Sequence, residues 1–419
     1  MPLRQNDGQA LIMVVISIAI LYVITASLGS ITGHTHKNMI SELELTQALY
    51  AADAGIENTI GKVLNDSAWY EGLSSAFTTV FNNQELTAGV VYGTKIKKVN
   101  NTDQVFGTAA MIESVGQCIN AGNVQAKKTL QCYIAVYTAN DYFKGLTVLP
   151  GEAAGATVTG SAAINSPVIC SSDLTLGDSL TVVGNNPVYT GGELTLADSA
   201  SCDAGNVQQS YSYIPPVLDL NDSYYQILAA EYGAEHLFTS GVSDPTYTFP
   251  NSHIDTKQVI IPDSDGAEAT VYLYSGCYYV NGDLNISGCY QGKAVIFASG
   301  DIKIASDLVS VNDYCEETAG AGDLTLIALG NIMVEESKVY ANLMARGVFQ
   351  TSGAVILRGA VCASGIDLGR SHFDLNFNSL DVNKAAIPVT VKVYNWQELY
   401  PVIAGTKVTV VMRDEKNSA

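Results

Sequence analysis

Carboxylates are the most plentiful reactive groups in this sequence: 41 Asp and Glu against 21 Lys and Arg, a formal net charge of −20 over 419 residues. Two close pairs, Asp263 with Asp265 and Glu316 with Glu317, have the residue types for acid–base cleavage of a glycan. Their contexts point to a plainer use. Asp263-Ser-Asp265-Gly266 is turn chemistry, in which aspartate bonds its own backbone, and Glu316-Glu317 precedes a glycine-rich loop as a solvated edge. Asp283, Asp301 and Asp323 each follow a glycine at the start of a strand pattern. Stacked turns of that kind would line up a calcium ladder, but the regular nonapeptide calcium pattern is missing, so turn formation is the expected role. The histidines His34, His36, His236, His253 and His372 lack metal-ligand spacing, and His34 and His36, two apart on a helix, point in different directions. No P-loop or dinucleotide fingerprint occurs. We assign no catalytic residue, no metal ligand and no cofactor, and read the chain as a non-enzyme. The acidic balance also argues against nucleic acid or anionic lipid as the main partner of the soluble part.

The element that must position everything else lies at the N-terminus. Residues Ala10 to Ile31 contain no charged side chain, a run longer than the roughly 20 residues a helix needs to cross a bilayer and too long for an ordinary secretory signal core. A short polar leader, residues 1–8, precedes it, with Arg4 and the amino terminus favouring a cytoplasmic location for that end. Beyond it Ile40, Leu43, Ala48, Ala51, Ala52, Ile56 and Ile60 recur at three- and four-residue steps, so one helix is expected over 9–64. Gly29 and Gly33 make either a locally weak stretch or a small-residue packing face.

The leader ending in Gly8, the start Gly8-Gln-Ala-Leu-Ile-Met-Val-Val15 and the box Ala51-Ala52-Asp53-Ala54-Gly55-Ile56-Glu57 resemble the PilX-type minor pilins over about the first 60 residues. The family box usually reads A-E-A-G-I-E. The resemblance implies cleavage by a prepilin peptidase between Gly8 and Gln9 and methylation of the new amino terminus. It also implies a single pass through the cytoplasmic membrane with the N-terminus inside, extraction by a pilus assembly platform, and packing among other pilin subunits through residues such as Ala10, Leu11, Met13 and Ile31. The destination is then the cell surface or a filament. The chain departs from the family in having Gln9 in place of the usual phenylalanine, and Asp7 where a basic residue is common. Main pilin subunits carry glutamate at the fifth mature position; here that position is Met13, and no acidic residue occurs from Gln9 to Gly33. On that resemblance the chain is a minor subunit at or near a filament tip.

The rest of the chain reads as β structure, giving an α+β class overall. Region 65–144 is a small pilin-like α/β part in which Thr108–Thr138 forms a hairpin around Asn120-Ala-Gly-Asn123. From 145 to 384 a short motif recurs: Ser172-Asp-Leu-Thr-Leu176, Gly192-Glu-Leu-Thr-Leu196, Gly282-Asp-Leu-Asn-Ile286, Gly300-Asp-Ile-Lys-Ile304, Gly322-Asp-Leu-Thr-Leu326 and Gly330-Asn-Ile-Met-Val334. Several copies fall about 18–22 residues apart, the length of one β-solenoid turn, with apolar runs such as Ala294–Ala298 between them. We expect a parallel β-helix, with a β-sandwich as the alternative, an insertion near 203–256 containing a helix around Ser223–Tyr232, and a tail, 385–419, holding two more strands. The region loosely resembles the β-helical parts of large PilX-type proteins, which implies display for adhesion or spacing, with a surface or glycan receptor as partner. Two other readings stay open: a single-pass anchored surface protein or adhesin that never assembles, and a β-helical polysaccharide-active enzyme. The eight cysteines allow 105 pairings. Cys277–Cys289 and Cys170–Cys202, each separated by less than two repeats, are the expected disulfides, and buried free thiols are the alternative.

Overall fold

The computed structural model describes residues 7–399 apart from 101–104, 151–154, 161, 198, 203, 213, 217, 219, 234–236, 239–245, 250–269, 311–321, 370–372 and 377–386. Asp263, Asp265, Glu316, Glu317, His236, His253 and His372 lie outside the described residues, as does the second expected tail strand. Helix α1 spans Asp7–Asn65, 59 residues without a break, or about 88 Å at 1.5 Å per residue. Gly29 and Gly33 do not interrupt it. Thr25, Thr32 and Thr35 donate their hydroxyls to carbonyls one turn back, at Leu21, Leu28 and Ile31, so these polar groups are satisfied within the helix.

A short helix α2 (Ser67–Glu71), capped by Asp66, leads into β1 (Thr78–Thr87), β2 (Val90–Val99), β3 (Thr108–Asn120) and β4 (Asn123–Tyr137). Between β3 and β4, Ala121 and Gly122 have φ of 49° and 81°, the two left-handed residues that a tight hairpin turn requires. The expected hairpin is therefore present. The C-terminal strand Thr390–Leu399 joins this five-stranded sheet beside β4. Lys128 pairs with Glu398 and Gln131 with Gln397; the two numberings run in opposite senses, so β4 and the C-terminal strand are antiparallel. Most of the chain between them forms a second compact unit.

That second unit opens with α3 (Ala139–Tyr142), closed by a Thr138–Asp141 capping box, and includes α4 (Asp222–Tyr232). Every strand pairing described within it is parallel, in three ladders around one apolar core. The first ladder carries Tyr278, Ile296, Leu326, Leu343, Val361, Leu146, Val168 and Val188 in register on its inner side. The second carries Leu284, Ile302, Ile332, Phe349, Ile366, Val158 and Leu176. Leu308, Val339, Leu357, Leu375, Ile164 and Val182 make the third. The stacking order is not the chain order: the late strand containing Val361 lies directly on the early strand containing Leu146. Late strands of the unit thus stack on early ones: Val361–Asp367 on Leu146–Val148 and Phe373–Asn376 on Ala163–Asn165.

The ladders explain two sequence textures. The first is buried on both sides, because its outer residues are also covered: Tyr225 of α4 stacks on Phe297 with ring centroids 4.1 Å apart, and Phe106 and Tyr211 each lie 5.2 Å from Tyr189. Strands buried on both faces read as continuous apolar runs, which accounts for Ala294–Ala298. The second ladder has one outer side in solvent and reads as alternation, Leu-Thr-Leu or Ile-Lys-Ile.

At the start of the second ladder's strands the glycine–aspartate motif has a mechanical meaning. Asp283 Oδ1 accepts the backbone N–H of Asp301 (2.8 Å), Asp301 Oδ1 that of Asn331 (2.7 Å), and Asn331 Oδ1 that of Val348 (2.8 Å). The glycine before each donor makes room: a Cβ at Gly300, Gly330 or Gly347 would stand 2.1, 2.0 or 2.5 Å from the incoming side-chain oxygen. Asp173 repeats the arrangement beneath Gly192 and Glu193. Asp323 does not belong to this series. It lies on the first ladder, opposite Lys293, and its carboxylate is paired with that ammonium at 2.6 Å.

The expected disulfide Cys170–Cys202 does not form. Cys170 carries a buried thiol on the first ladder, beside Thr190 and Val148, whereas Cys202 follows Ser201, which is bridged to Thr181 on the third. The Cys289 side chain lies outside the described set; along the backbone, Cys277 neighbours Val295 and Cys289 neighbours Thr270 and Val309.

Two outcomes follow from this packing. Gly330→Ala should destabilise the protein by about 2 kcal/mol and Asp301→Ala by about 1 kcal/mol, while the double variant loses less than the sum by about 1 kcal/mol, since Asp301 Oδ1 is the atom nearest the added Cβ. Urea titration of the four proteins checks this, and strict additivity would contradict it. Burial also pushes the thiols of Cys132 to about 11 and of Cys277 and Cys362 to about 12, from 9.0. For acids raised in the folded state, the stabilising contribution is complete below pH 9 and is lost as pH climbs towards 12. Denaturation midpoints should therefore fall between pH 9 and 11, and those three thiols should account for part of the fall when replaced by alanine.

Candidate functional site: the two halves of the N-terminal helix

The first half of α1 is apolar, and among the described residues nothing packs on it from Met13 to Ile31. Met13, Leu21 and Ile31 are 71%, 66% and 62% exposed, and the helix from Met13 onward contains a stretch long and apolar enough to cross a membrane. Water is a poor solvent for such a surface. Gly8 and Gln9 lie in the first turn of α1. No acidic residue occurs from Gln9 to Gly33 around the exposed Met13.

The second half is sealed onto the small sheet. Ala48, Ala51, Ala52, Ile56, Thr59 and Val63 are fully buried, a stripe at three- and four-residue steps. Gly55 sits inside the stripe, where a Cβ would be 2.3 Å from Ser114 Oγ and 2.9 Å from Tyr92 Cδ2. Opposite it, a Cβ on Gly116 of β3 would be 1.9 Å from the Ala48 carbonyl oxygen and 2.5 Å from the Ala52 nitrogen. Helix and sheet backbones therefore approach more closely than any residue but glycine permits. Polar contacts fix the register: Thr59 donates to the Gly55 carbonyl, the Thr94 hydroxyl lies 3.0 Å from Thr59 Oγ1, and Asn58 Nδ2 donates to the Tyr92 hydroxyl at 2.8 Å.

In the box Ala52-Asp53-Ala54-Gly55-Ile56-Glu57, then, Ala52, Gly55 and Ile56 face the sheet, Asp53 and Ala54 are half-buried at its margin, and Glu57 is exposed. Gly116, Ser114, Thr94 and Tyr92 are the partners that sequence reasoning missed. A signal was available, because Gly116 interrupts an otherwise alternating strand, which marks a close backbone approach. Among the described residues no group of three or more His, Cys, Asp and Glu is arranged to hold a metal.

No protein-family model matches the chain, and no curated protein matches it. Among solved structures it is similar to the competence-associated pilin ComZ from Thermus thermophilus, at 12% identity over 85% of this chain and 98% of that one, with a TM-score of 0.38. It is also similar to the DUF3494 domain of an ice-binding protein from Shewanella frigidimarina, at 14% identity over 57% of this chain and 95% of that one, with a TM-score of 0.25. At these TM-scores neither likeness decides the fold or the function of this chain.

Gly116→Ala should separate helix from sheet. Its Cβ meets backbone atoms, which cannot swing aside, so a loss of about 3 kcal/mol is expected. Gly122→Ala, in the exposed turn with no atom within 4 Å of the added Cβ, should cost less, through its positive φ alone. Proteolysis within α1 in the two variants measures the difference, and equal sensitivity would contradict the close-approach account.

Proposed function

We propose that this chain is a structural, pilin-type filament subunit. Its apolar half-helix is held by the bilayer before assembly and by the helices of other pilin subunits afterwards. The observation that carries the reading is the continuity of α1: one unbroken helix passes from a half on which no described residue packs into a half sealed to a sheet through Gly55 and Gly116. Lipid and neighbouring helices both keep Met13–Ile31 away from water, so transfer from one to the other is feasible without unfolding. The N-terminal resemblance to PilX-type minor pilins supports the same conclusion.

In detail, the precursor crosses the cytoplasmic membrane once with Met1 inside, a prepilin peptidase cuts between Gly8 and Gln9, and the new amino terminus is methylated. An assembly platform then extracts the protein to the cell surface. The parallel ladders are read as a β-solenoid that protrudes as a spacer or adhesive surface. A subunit with Met13 at the fifth mature position has no carboxylate there to offset a neighbour's amino terminus, a charge costly to leave unpaired in an apolar core. That suits a minor subunit at or near the tip. No catalytic role is assigned.

Mass spectrometry of protein from sheared surface filaments should find a methylated N-terminus at Gln9, at a stoichiometry far below that of the main subunit. Gly8→Val should leave the full-length chain in the membrane. Surface protein that retains Met1–Gly8, or normal trimming of the valine variant, would replace this reading with that of a single-pass anchored protein.

A further inference from the structure

A recess of about 220 Å³ opens on the outer side of the first ladder. Its wall is apolar: Leu149, Leu220, Met344, Ala345 and Cys362 line it and are buried. At its rim the strand Asn342–Thr351 is irregular. Ala345 pairs with Ala363 and Val348 with Gly365, so Arg346 and Gly347 together stand opposite Ser364 alone. Such a bulge re-aims the side chain it carries. It is locked by Ser364 Oγ donating to the Gly347 carbonyl at 2.7 Å and by Gly347 N–H donating to the Gly330 carbonyl at 2.9 Å.

Arg346 is exposed at this bulge, and among the described residues it makes no ion pair or hydrogen bond. In a chain with 41 acidic and 21 basic side chains, a guanidinium with no partner among the described residues, set beside an apolar recess, is available as an anion contact. Guanidinium recognises carboxylate through two parallel N–H···O bonds. The recess is smaller than the roughly 300–1,000 Å³ of pockets for drug-sized ligands, which limits the occupant to a short body. We propose that this recess binds a small free carboxylate with an aliphatic chain, the chain against Met344 and Cys362 and the carboxylate on Arg346. The site is independent of the filament reading, because it lies wholly within the second unit.

The test is equilibrium dialysis of radiolabelled hexanoate against the full chain in lipid nanodiscs, with empty nanodiscs subtracted. Saturable binding with a Kd on the order of 1 mM is expected for eight heavy atoms. Arg346→Gln should weaken it at least tenfold and Arg346→Lys less; circular dichroism checks that each variant is folded. Hexanol should compete at least tenfold more weakly than unlabelled hexanoate. Absence of saturable binding to the unaltered chain, or binding unchanged in Arg346→Gln, would overturn the assignment.

Discussion

An apolar helical surface that no other described part of the chain covers must be covered by something else. That constraint governs this protein. Met13–Ile31 is as hydrophobic as a membrane span, yet it belongs to the same rigid helix as a half that is packed on a sheet. The helix stays continuous across the junction. The hydroxyls of Thr25, Thr32 and Thr35 bond back into it, and among the described residues nothing packs on its apolar face. A helix that continued as a flexible tether would anchor the small sheet; a helix fused to the sheet transmits position and force to it.

Close backbone approach recurs as the means by which both units achieve order. In the smaller one, Gly55 and Gly116 bring a helix against a strand until an Ala48 carbonyl occupies the space where a Cβ would stand. In the larger one, Gly300, Gly330 and Gly347 admit the side-chain oxygen of the strand below, and that oxygen then takes the N–H of the strand above. Glycine supplies room and aspartate or asparagine supplies the bond, so each stacked turn satisfies a backbone donor that has no ladder partner of its own. The acidic composition is thus partly structural. Of the carboxylates that resemble a calcium ladder in sequence, Asp283 and Asp301 each accept a backbone amide and Asp323 pairs with Lys293.

How much of this was legible in the sequence depends on how local the governing interaction is. Charge-free Ala10–Ile31, the helix beyond it, the hairpin at Asn120–Asn123 and the helix at Ser223–Tyr232 follow from short-range periodicity and turn chemistry, and all are present. The repeat of glycine, acidic residue and alternating apolar residues marked the second ladder, while continuous apolar runs marked the first. The sequence motif could not separate Asp323 from Asp283 and Asp301, because all three sit in the same Gly-Asp context and differ only in which ladder they join. Nor could it show that the strand of Val361 stacks on that of Leu146, or that Thr390–Leu399 pairs with β4, since those contacts span more than 200 residues. Proximity in sequence misled for Cys170 and Cys202: less than two repeats separate them, but they belong to different ladders.

The central claim is that the exposed half of α1 exchanges lipid for the helices of other subunits. A photo-crosslinking residue placed at Leu21, well inside the apolar half, tests it most directly. In membranes the account predicts adducts to lipid acyl chains, and in sheared filaments adducts to the N-terminal helices of pilin subunits, identified by mass spectrometry. Lipid adducts alone, with no subunit adduct in any surface fraction, would contradict it.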